Sequence, residues 1–358
     1  MTMEQERPNL PESKPFKILS IDGGGIKGLY AATILKRLEE SIRAETDQDV
    51  RIADYFDLIC GTSTGGLIAL ALSQRISCEK ICRFYEKHGP LIFSNSRSPL
   101  RWFRQIFFRG KYSDKKLRFA LKELFKTWKI SDSQTLLCIP SYNFTESTPA
   151  IFKFDHKNPH LSRHNNLSMV DVALATAAAP SYFPLAQIEL MQKTQYVDGG
   201  VWANNPSILG LTEALRDFVG KEKHYNAIQM LSIANLTPGK GKPLLKCRHR
   251  SIIRWRKDLF DLSLIGQSKF ADDFLYTLAQ NSNLTFNFNY VRIPSAKIDA
   301  DQFKKITFDK AGKDSLDLIK LMANTMYDTL KDKLLDEKIF SSKKSFNTTP
   351  LSPSKGNV

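Results

Sequence analysis

The sequence predicts an α/β fold built on a largely parallel sheet, and three observations carry that expectation. Two short apolar runs, Phe16 to Ile21 and Tyr55 to Cys60, each break at a glycine-bearing turn. Each turn is followed by a helix-like segment, and strand, turn and helix in that order make half of a βαβ unit. Strand-length apolar runs then keep alternating with helix-periodic ones as far as Ile233.

The first run leads into Asp22-Gly23-Gly24-Gly25-Ile26-Lys27-Gly28, after which Ala31, Ile34, Leu35, Leu38 and Ile42 recur at helical spacing. Consecutive glycines at a helix N-terminus leave backbone N–H groups uncovered, which suits an anion. Gly23, Gly25 and Gly28 spell the dinucleotide fingerprint G-x-G-x-x-G, but that motif also needs a second strand ending in an acidic residue about 20 positions on. The next strand-like run ends instead at Cys60. The other sharp reading is an oxyanion hole made by the Gly23, Gly24 and Gly25 amides, and a loop that only turns the chain is the plain one.

The second run enters Gly61-Thr62-Ser63-Thr64-Gly65 and then a buried helix from Leu67 to Leu72. G-x-S-x-G between strand and helix is the pattern of a nucleophile elbow, in which a strained turn holds the serine out from the strand end and small Gly61 and Gly65 let strand and helix close around it. By itself the five-residue pattern fits equally a turn that needs two glycines for its backbone.

Ser77 to His88 is predicted as a helix. Residues 97–118 mix eight Lys and Arg with Trp102, Phe103, Ile106, Phe107 and Phe108, a pattern suited to an anionic bilayer surface, a lid or a nucleotide, and equally to an internal stripe with solvated charges. Thr135 to Ile139 and Ala150 to Phe154 are predicted strands. Ser168 to Ala178 is predicted as a helix opened by Ser168 and Asp171 at capping-box spacing and stopped by Pro180. Gln187 to Met191 and Gln195 to Val197 form an expected strand pair, the second ending in Asp198-Gly199-Gly200. Asn204-Asn205-Pro206 opens a helix to about Phe218, and Ala227 to Ile233 is a further buried strand. Residues 237–257 are again basic, fitting a solvated face or a phosphate-bearing ligand. Phe260 to Leu278 and Asp314 to Leu335 have helical patterns, and Thr285 to Ile293 alternates like an edge strand.

Composition sets bounds. The chain has 358 residues, 42% hydrophobic and 25% charged, with a net charge of +15, so it is globular and attracted to anions such as a lipid headgroup or a nucleotide. Five cysteines with no C-x-x-C pair argue against a disulfide framework or a zinc site and suit a reducing cytoplasm. The polar start has no apolar core of a signal peptide, and no stretch reaches the ~18 apolar residues of a membrane span. Contact with a membrane is therefore expected to be peripheral. Residues 1–14 are expected to be flexible, 15–340 to form the working domain, and 341–358 a disordered tail.

A serine hydroxyl needs a base within hydrogen-bond reach. Of six histidines only His224 and His249 follow Asp198 in the order of a Ser-Asp-His hydrolase, and both lie in charged stretches. A partly desolvated aspartate can serve instead, because burial raises its pKa. Asp198, at a strand end beside Gly199 and Gly200, is the best placed, though Asp-Gly is also a common turn.

Four blocks in order, Asp22 to Gly28, Gly61 to Gly65, Ala179-Pro180-Ser181-Tyr182-Phe183-Pro184 and Asp198 to Pro206, resemble those of the patatin-like phospholipases over roughly residues 15–235. The resemblance implies a three-layer α/β/α acyl hydrolase with a Ser63–Asp198 dyad, Gly23, Gly24 and Gly25 as oxyanion loop, no catalytic histidine and no metal cofactor, calcium included. It also implies membrane phospholipids as substrate and no nucleic acid polymer as partner. The chain further looks similar to the bacterial patatin-type effectors of antiphage signalling. That likeness implies a cytoplasmic enzyme, open to homo-oligomerisation, that acts on the inner face of the membrane when a cyclic dinucleotide binds one of the basic segments. The competing reading is a nucleotide-binding module that uses the glycine loop without hydrolysis.

Overall fold

The computed structural model describes residues 14–94, 111–154, 162–237, 249, 252–281, 283–336 and 338–346. Its centre is one eight-stranded sheet in the order β5-β6-β3-β2-β1-β7-β8, with β4 also paired to β3. The strands are β1 (Pro15–Ile21), β2 (Leu58–Gly61), β3 (Leu136–Asn143), β4 (Thr148–Lys153), β5 (Ala186–Ile188), β6 (Thr194–Asp198), β7 (Ala227–Ile233) and β8 (Asn287–Ile293). The pairs from β3 through β2, β1 and β7 to β8 are parallel, whereas β4, β5 and β6 pair antiparallel. The sheet is thus mixed and mostly parallel. β1 is buried along nearly its whole length, as a central parallel strand covered on both faces must be.

The helices are α1 (Gly28–Thr46), α2 (Thr64–Ser73), α3 (Cys78–Ile92), α4 (Asp114–Phe125), α5 (Met169–Thr176), α6 (Ser207–Glu213), α7 (Ile252–Ala279) and α8 (Lys313–Asp336), with short helical turns between them. Cβ space at Gly210 of α6 is bounded by Cys60 and Ile18, and that at Gly66 of α2 by Ile139. Because Cys60 is level with Cys138, Cys60 and Ile139 point to opposite sides. The two helices therefore cover opposite faces and the fold has three layers.

Register explains how two distant residues meet. Cys138 of β3 pairs with Cys60 on one edge and Lys153 of β4 on the other, and Ser141 pairs with Asp198 and with Ala150 of β4. β4 thus occupies one edge of β3, and β2 and β6 share the other, end to end. Since β2 runs parallel to β3 and β6 antiparallel, their C-terminal ends point at each other.

Several expectations change in detail. The strand expected from Tyr55 starts at Leu58, because Ile52–Tyr55 form a 3-10 turn in which Asp54 accepts the Arg51 amide. Ser168 caps α5 as expected, but Asp171 is drawn away to Arg118 (2.8 Å). Gln187 to Met191 is strand only to Ile188 and then turns. Residues 341–346, expected to be disordered, dock beneath the sheet: the Ser345 and Phe346 amides donate to Asp57 Oδ1 (3.0 and 2.8 Å), and buried Lys17 Nζ donates to the Ser342 carbonyl (2.6 Å). What recruits them is two buried charges that need partners. Truncation after Phe340 removes both amides on Asp57 Oδ1 and leaves Lys17 Nζ only the Ile339 carbonyl (2.7 Å), and is expected to cost about 1–3 kcal/mol in all, read as a lower urea midpoint. Residues 1–13, 347–358, most of 97–118 and most of 237–251 lie outside the described residues, and the readings made of them stand as expectations. No helix among the described residues is long and apolar enough to cross a membrane.

Candidate active site

Ser63 sits between β2 and α2 with φ +54° and ψ −122°, a conformation that non-glycine residues rarely adopt. What holds it there is close packing. A Cβ at Gly61 would lie 2.2 Å from the Gly65 carbonyl oxygen, and one at Gly65 would lie 2.3 Å from that of Ile21. Glycine at both positions lets the end of β1, the end of β2 and the first turn of α2 converge. The Ser63 amide donates to Thr176 Oγ1 (2.9 Å), whose hydroxyl donates to the Pro140 carbonyl (2.6 Å).

From the facing strand end, Asp198 accepts the Ser63 hydroxyl: Oγ to Oδ2 is 2.6 Å, the short distance of a charge-assisted bond. Its other oxygen accepts the Gly200 amide at 2.7 Å. The Asp198 amide donates to the Ala178 carbonyl and that of Gly199 to the Thr176 carbonyl. Thr176 therefore ties the serine turn and the aspartate turn together, a role the sequence reading missed. As the one polar residue in the run Val172 to Ala179, it was the available signal. A Cβ at Gly199 would strike the Pro140 carbonyl at 2.2 Å, so the second glycine pair is also set by close approach. Asp198 is 1% exposed, and burial pushes its carboxyl up to about 7, with the Ser63 and Gly200 hydrogen bonds pulling the other way.

The glycine loop lies beside this pair but is not used as expected at all three positions. The Gly23 amide donates to the Asn204 carbonyl (3.1 Å), so it is spent; an oxyanion would have to compete with a bond already made. Gly23 contributes space instead: a Cβ there would stand 3.1 Å from Ser63 Cβ. The Gly24 and Gly25 amides have no partner among the described residues. Gly25 has φ +62°, and a Cβ at Gly24 would overlap the Asn235 side chain.

Behind the loop lies a buried polar anchor. Arg292 of β8 donates to both Asp22 oxygens (3.3 and 2.7 Å), and Ser268 of α7 donates to the same carboxylate. Burial pushes Asp22 up and the guanidinium opposes it, while burial works against the Arg292 charge and Asp22 more than offsets that. A guanidinium does not deprotonate in proteins, so the two stand as an ion pair. Arg292 was missed by the sequence reading; the signal was a lone charge in an otherwise uncharged strand. On the other side of Ser63 is an apolar cavity lined by Ile26, Leu67, Phe84, Ile92, Phe183 and Phe308, of about 30 Å³. His88 turns away to Glu123 (2.9 Å).

A family model described as patatin-like phospholipase matches residues 19–208, more than half of the chain. The chain belongs to the patatin-like phospholipase family. Members are carboxylic ester hydrolases, so the reading as a nucleotide-binding module without hydrolysis is set aside, and phospholipid is the substrate class. Among relatives, a cGAMP-activated phospholipase of Pseudomonas aeruginosa is 32% identical over 318 residues, covering 89% of this chain and 86% of its own. Patatin-like protein 1 of Oryza sativa subsp. indica is 28% identical over 340 residues, covering 86% and 80%. Among solved structures, human GIVD cytosolic phospholipase A2 aligns with a TM-score of 0.42 at 9% identity, over 94% of this chain and 61% of that one.

Proposed function

We propose that Ser63 is the nucleophile and Asp198 the base of a phospholipid acyl hydrolase. The observation that carries this is the 2.6 Å hydrogen bond from Ser63 Oγ to a fully buried carboxylate, near the Gly24 and Gly25 amides, which have no partner among the described residues. Asp198 takes the serine proton as Oγ attacks the fatty-acyl carbonyl. The Gly24 and Gly25 amides receive the oxyanion, preorganised where charge develops. Asp198 then returns the proton to the departing lysolipid oxygen. In the second half the same carboxylate takes a proton from water, whose oxygen attacks the acyl carbon, and then passes that proton to Ser63 Oγ as the bond from Oγ to the acyl carbon breaks, which frees the fatty acid and restores the Ser63 hydroxyl. The steps need no metal, so activity is expected to survive a calcium chelator.

The apolar cavity beside Ser63, about 30 Å³, has room for about two or three water molecules and not for an extended acyl chain. An acyl chain enters only after the surrounding side chains move, and we place activation at that step. The name of the Pseudomonas aeruginosa relative supports a cyclic dinucleotide, cGAMP, as the activator. The net charge of +15 suits work on the anionic inner face of a membrane from the cytoplasm, and residues 15–340 act as one catalytic unit. Product analysis on mixed phospholipid vesicles, with and without cGAMP and with chelator, tests the whole reading. Free fatty acid that rises on cGAMP addition in chelator supports it. Release unaffected by cGAMP removes the activator, and release abolished by Ca²⁺ removal overturns the metal-free mechanism.

A further inference from the structure

Asn204 and Asn205 follow the Asp198 turn side by side, and only one of them is fully used. Asn205 Oδ1 accepts the Ser207 amide (3.0 Å) and hydroxyl (2.6 Å), and its Nδ2 donates to the Ser268 carbonyl (3.4 Å). Asn204 is 5% exposed and is pinned as firmly: its carbonyl accepts the Gly23 amide (3.1 Å), its own amide donates to Gln267 Oε1 (3.3 Å), and its Nδ2 donates to the Leu264 carbonyl (3.3 Å). Its Oδ1, however, is buried with no partner among the described residues. Turning the amide over would not relieve this, because the oxygen would then face the Leu264 carbonyl. A buried acceptor held in place and left open points to a donor that arrives during the reaction.

The open acceptor lies between the dyad and a large cavity. A Cβ at Gly23 would stand 2.8 Å from Asn204 Oδ1 and 3.1 Å from Ser63 Cβ, and one at Gly200 would stand 3.4 Å from Asn204 Oδ1 and 3.0 Å from Asp198 Oδ1. Asn204 thus borders the same two bare glycine faces as the serine and the aspartate. It also lines a cavity of about 330 Å³ with Gly23, Gly24, Lys27 and Asn235, whereas Ser63 lines the apolar cavity with Gly25. Asn235 Nδ2, a second buried group with no partner among the described residues, lies over Gly24.

We propose that Asn204 Oδ1 holds the hydrolytic water, which reaches the acyl-enzyme from this larger cavity; the proposal rests on the reading of Ser63 and Asp198 as nucleophile and base. In the acyl-enzyme Ser63 Oγ has lost its proton, so the Asp198 oxygen it occupied at 2.6 Å is free to accept from water. One acceptor leaves the direction of a water open, and a second fixes it. The water donates one O–H to Asp198 and the other to Asn204 Oδ1, and its oxygen bonds to the acyl carbon as the first proton passes to Asp198. Asn204 takes no proton: the second O–H stays with the fatty acid, and Asp198 returns the first proton to Ser63 Oγ as the bond from Oγ to the acyl carbon breaks. The first half of the cycle makes no such demand, because there Ser63 is itself the nucleophile. Loss of Asn204 Oδ1 therefore acts on deacylation alone.

The test compares the full chain with Asn204→Leu, which fills the space without an acceptor, and with Asn204→Ser, which keeps a shorter polar group and carries the test if the leucine variant does not fold. Each is mixed with p-nitrophenyl butyrate; nitrophenolate release is followed by stopped flow, and quenched protein is weighed intact by mass spectrometry. Both variants are expected to release the first nitrophenolate at the wild-type rate and then to accumulate butyryl-Ser63. Deacylation is expected to slow about a hundredfold in Asn204→Leu and less in Asn204→Ser. Hydroxylamine, a stronger nucleophile than water, is expected to speed turnover of the variants more than that of wild type. A first turnover slowed as much as the steady state, with no acyl-enzyme building up, overturns the proposal and would put Asn204 in substrate binding or in the fold. Unchanged deacylation in both variants overturns it as well. Nitrophenolate release that persists in Ser63→Ala would instead defeat the nucleophile reading, and the proposal with it.

Discussion

Replacing Asp198 by asparagine is expected to lower kcat on phospholipid by about 10⁴, because a serine without its base is no longer activated and such units fail together. The wild-type pH profile should show the same group. In the proposed mechanism Asp198 has to be ionised to take the serine proton, so kcat/KM is expected to rise with pH through a midpoint near the carboxyl's value of about 7. Stability runs the other way. The folded-state pKa lies above the ordinary 3.8, so the native state holds an extra proton between those values. That contribution to stability is fully present below pH 3.8 and is lost as pH rises through about 7. The cost of ionising this buried carboxyl is on the order of 4 kcal/mol. Asparagine carries no such cost, so the variant is expected to unfold at higher urea than wild type at pH 8 and to lose that advantage at low pH. A variant that is inactive and less stable at every pH would mean that Asp198 holds the fold rather than performs the chemistry.

Arg292→Met is expected to produce the largest loss of stability. It leaves Asp22 as a buried carboxylate without its guanidinium, and breaking a buried pair on one side costs about 3–5 kcal/mol. Asp22 directly precedes the glycine loop, so any protein that folds should show a lower kcat with KM little changed, because the Gly24 and Gly25 amides shift relative to Ser63. Two further variants separate positioning from bulk stability. Arg292→Lys keeps the charge but cannot fork onto both Asp22 oxygens, and should lose kcat with less loss of stability. Asp22→Asn added to Arg292→Met should recover part of the stability, since the uncompensated charge is then gone. Full kcat in a folded Arg292→Met protein would show that the anchor does not reach the loop.

What could be read from residues alone was whatever is local. The Ser63 turn announced itself because Gly61 and Gly65 flank a serine between two apolar runs, and Asp198 because it ends a strand beside two glycines. What brings them together was not legible. β2 and β6 share one edge of β3, a consequence of registers between segments far apart in the chain. The Gly23 amide was misjudged for a related reason. Three glycines look alike in sequence, and only the return of the Asn204 carbonyl to the loop decides which amides stay open. Arg292 lies outside the family-matched span, and its partner is 270 positions away. Residues 341–346 look like tail by composition, and it is the buried charges of Lys17 and Asp57 that give them a place.

The central claim is that the hydroxyl of Ser63 is activated by the carboxylate 2.6 Å away. A fluorophosphonate probe, followed by peptide mapping, measures that directly, because the reagent modifies only an activated serine. One adduct is expected, on Ser63, in the wild-type protein, and almost none in Asp198→Asn. An adduct on another serine, or equal labelling of Ser63 in both proteins, would contradict it.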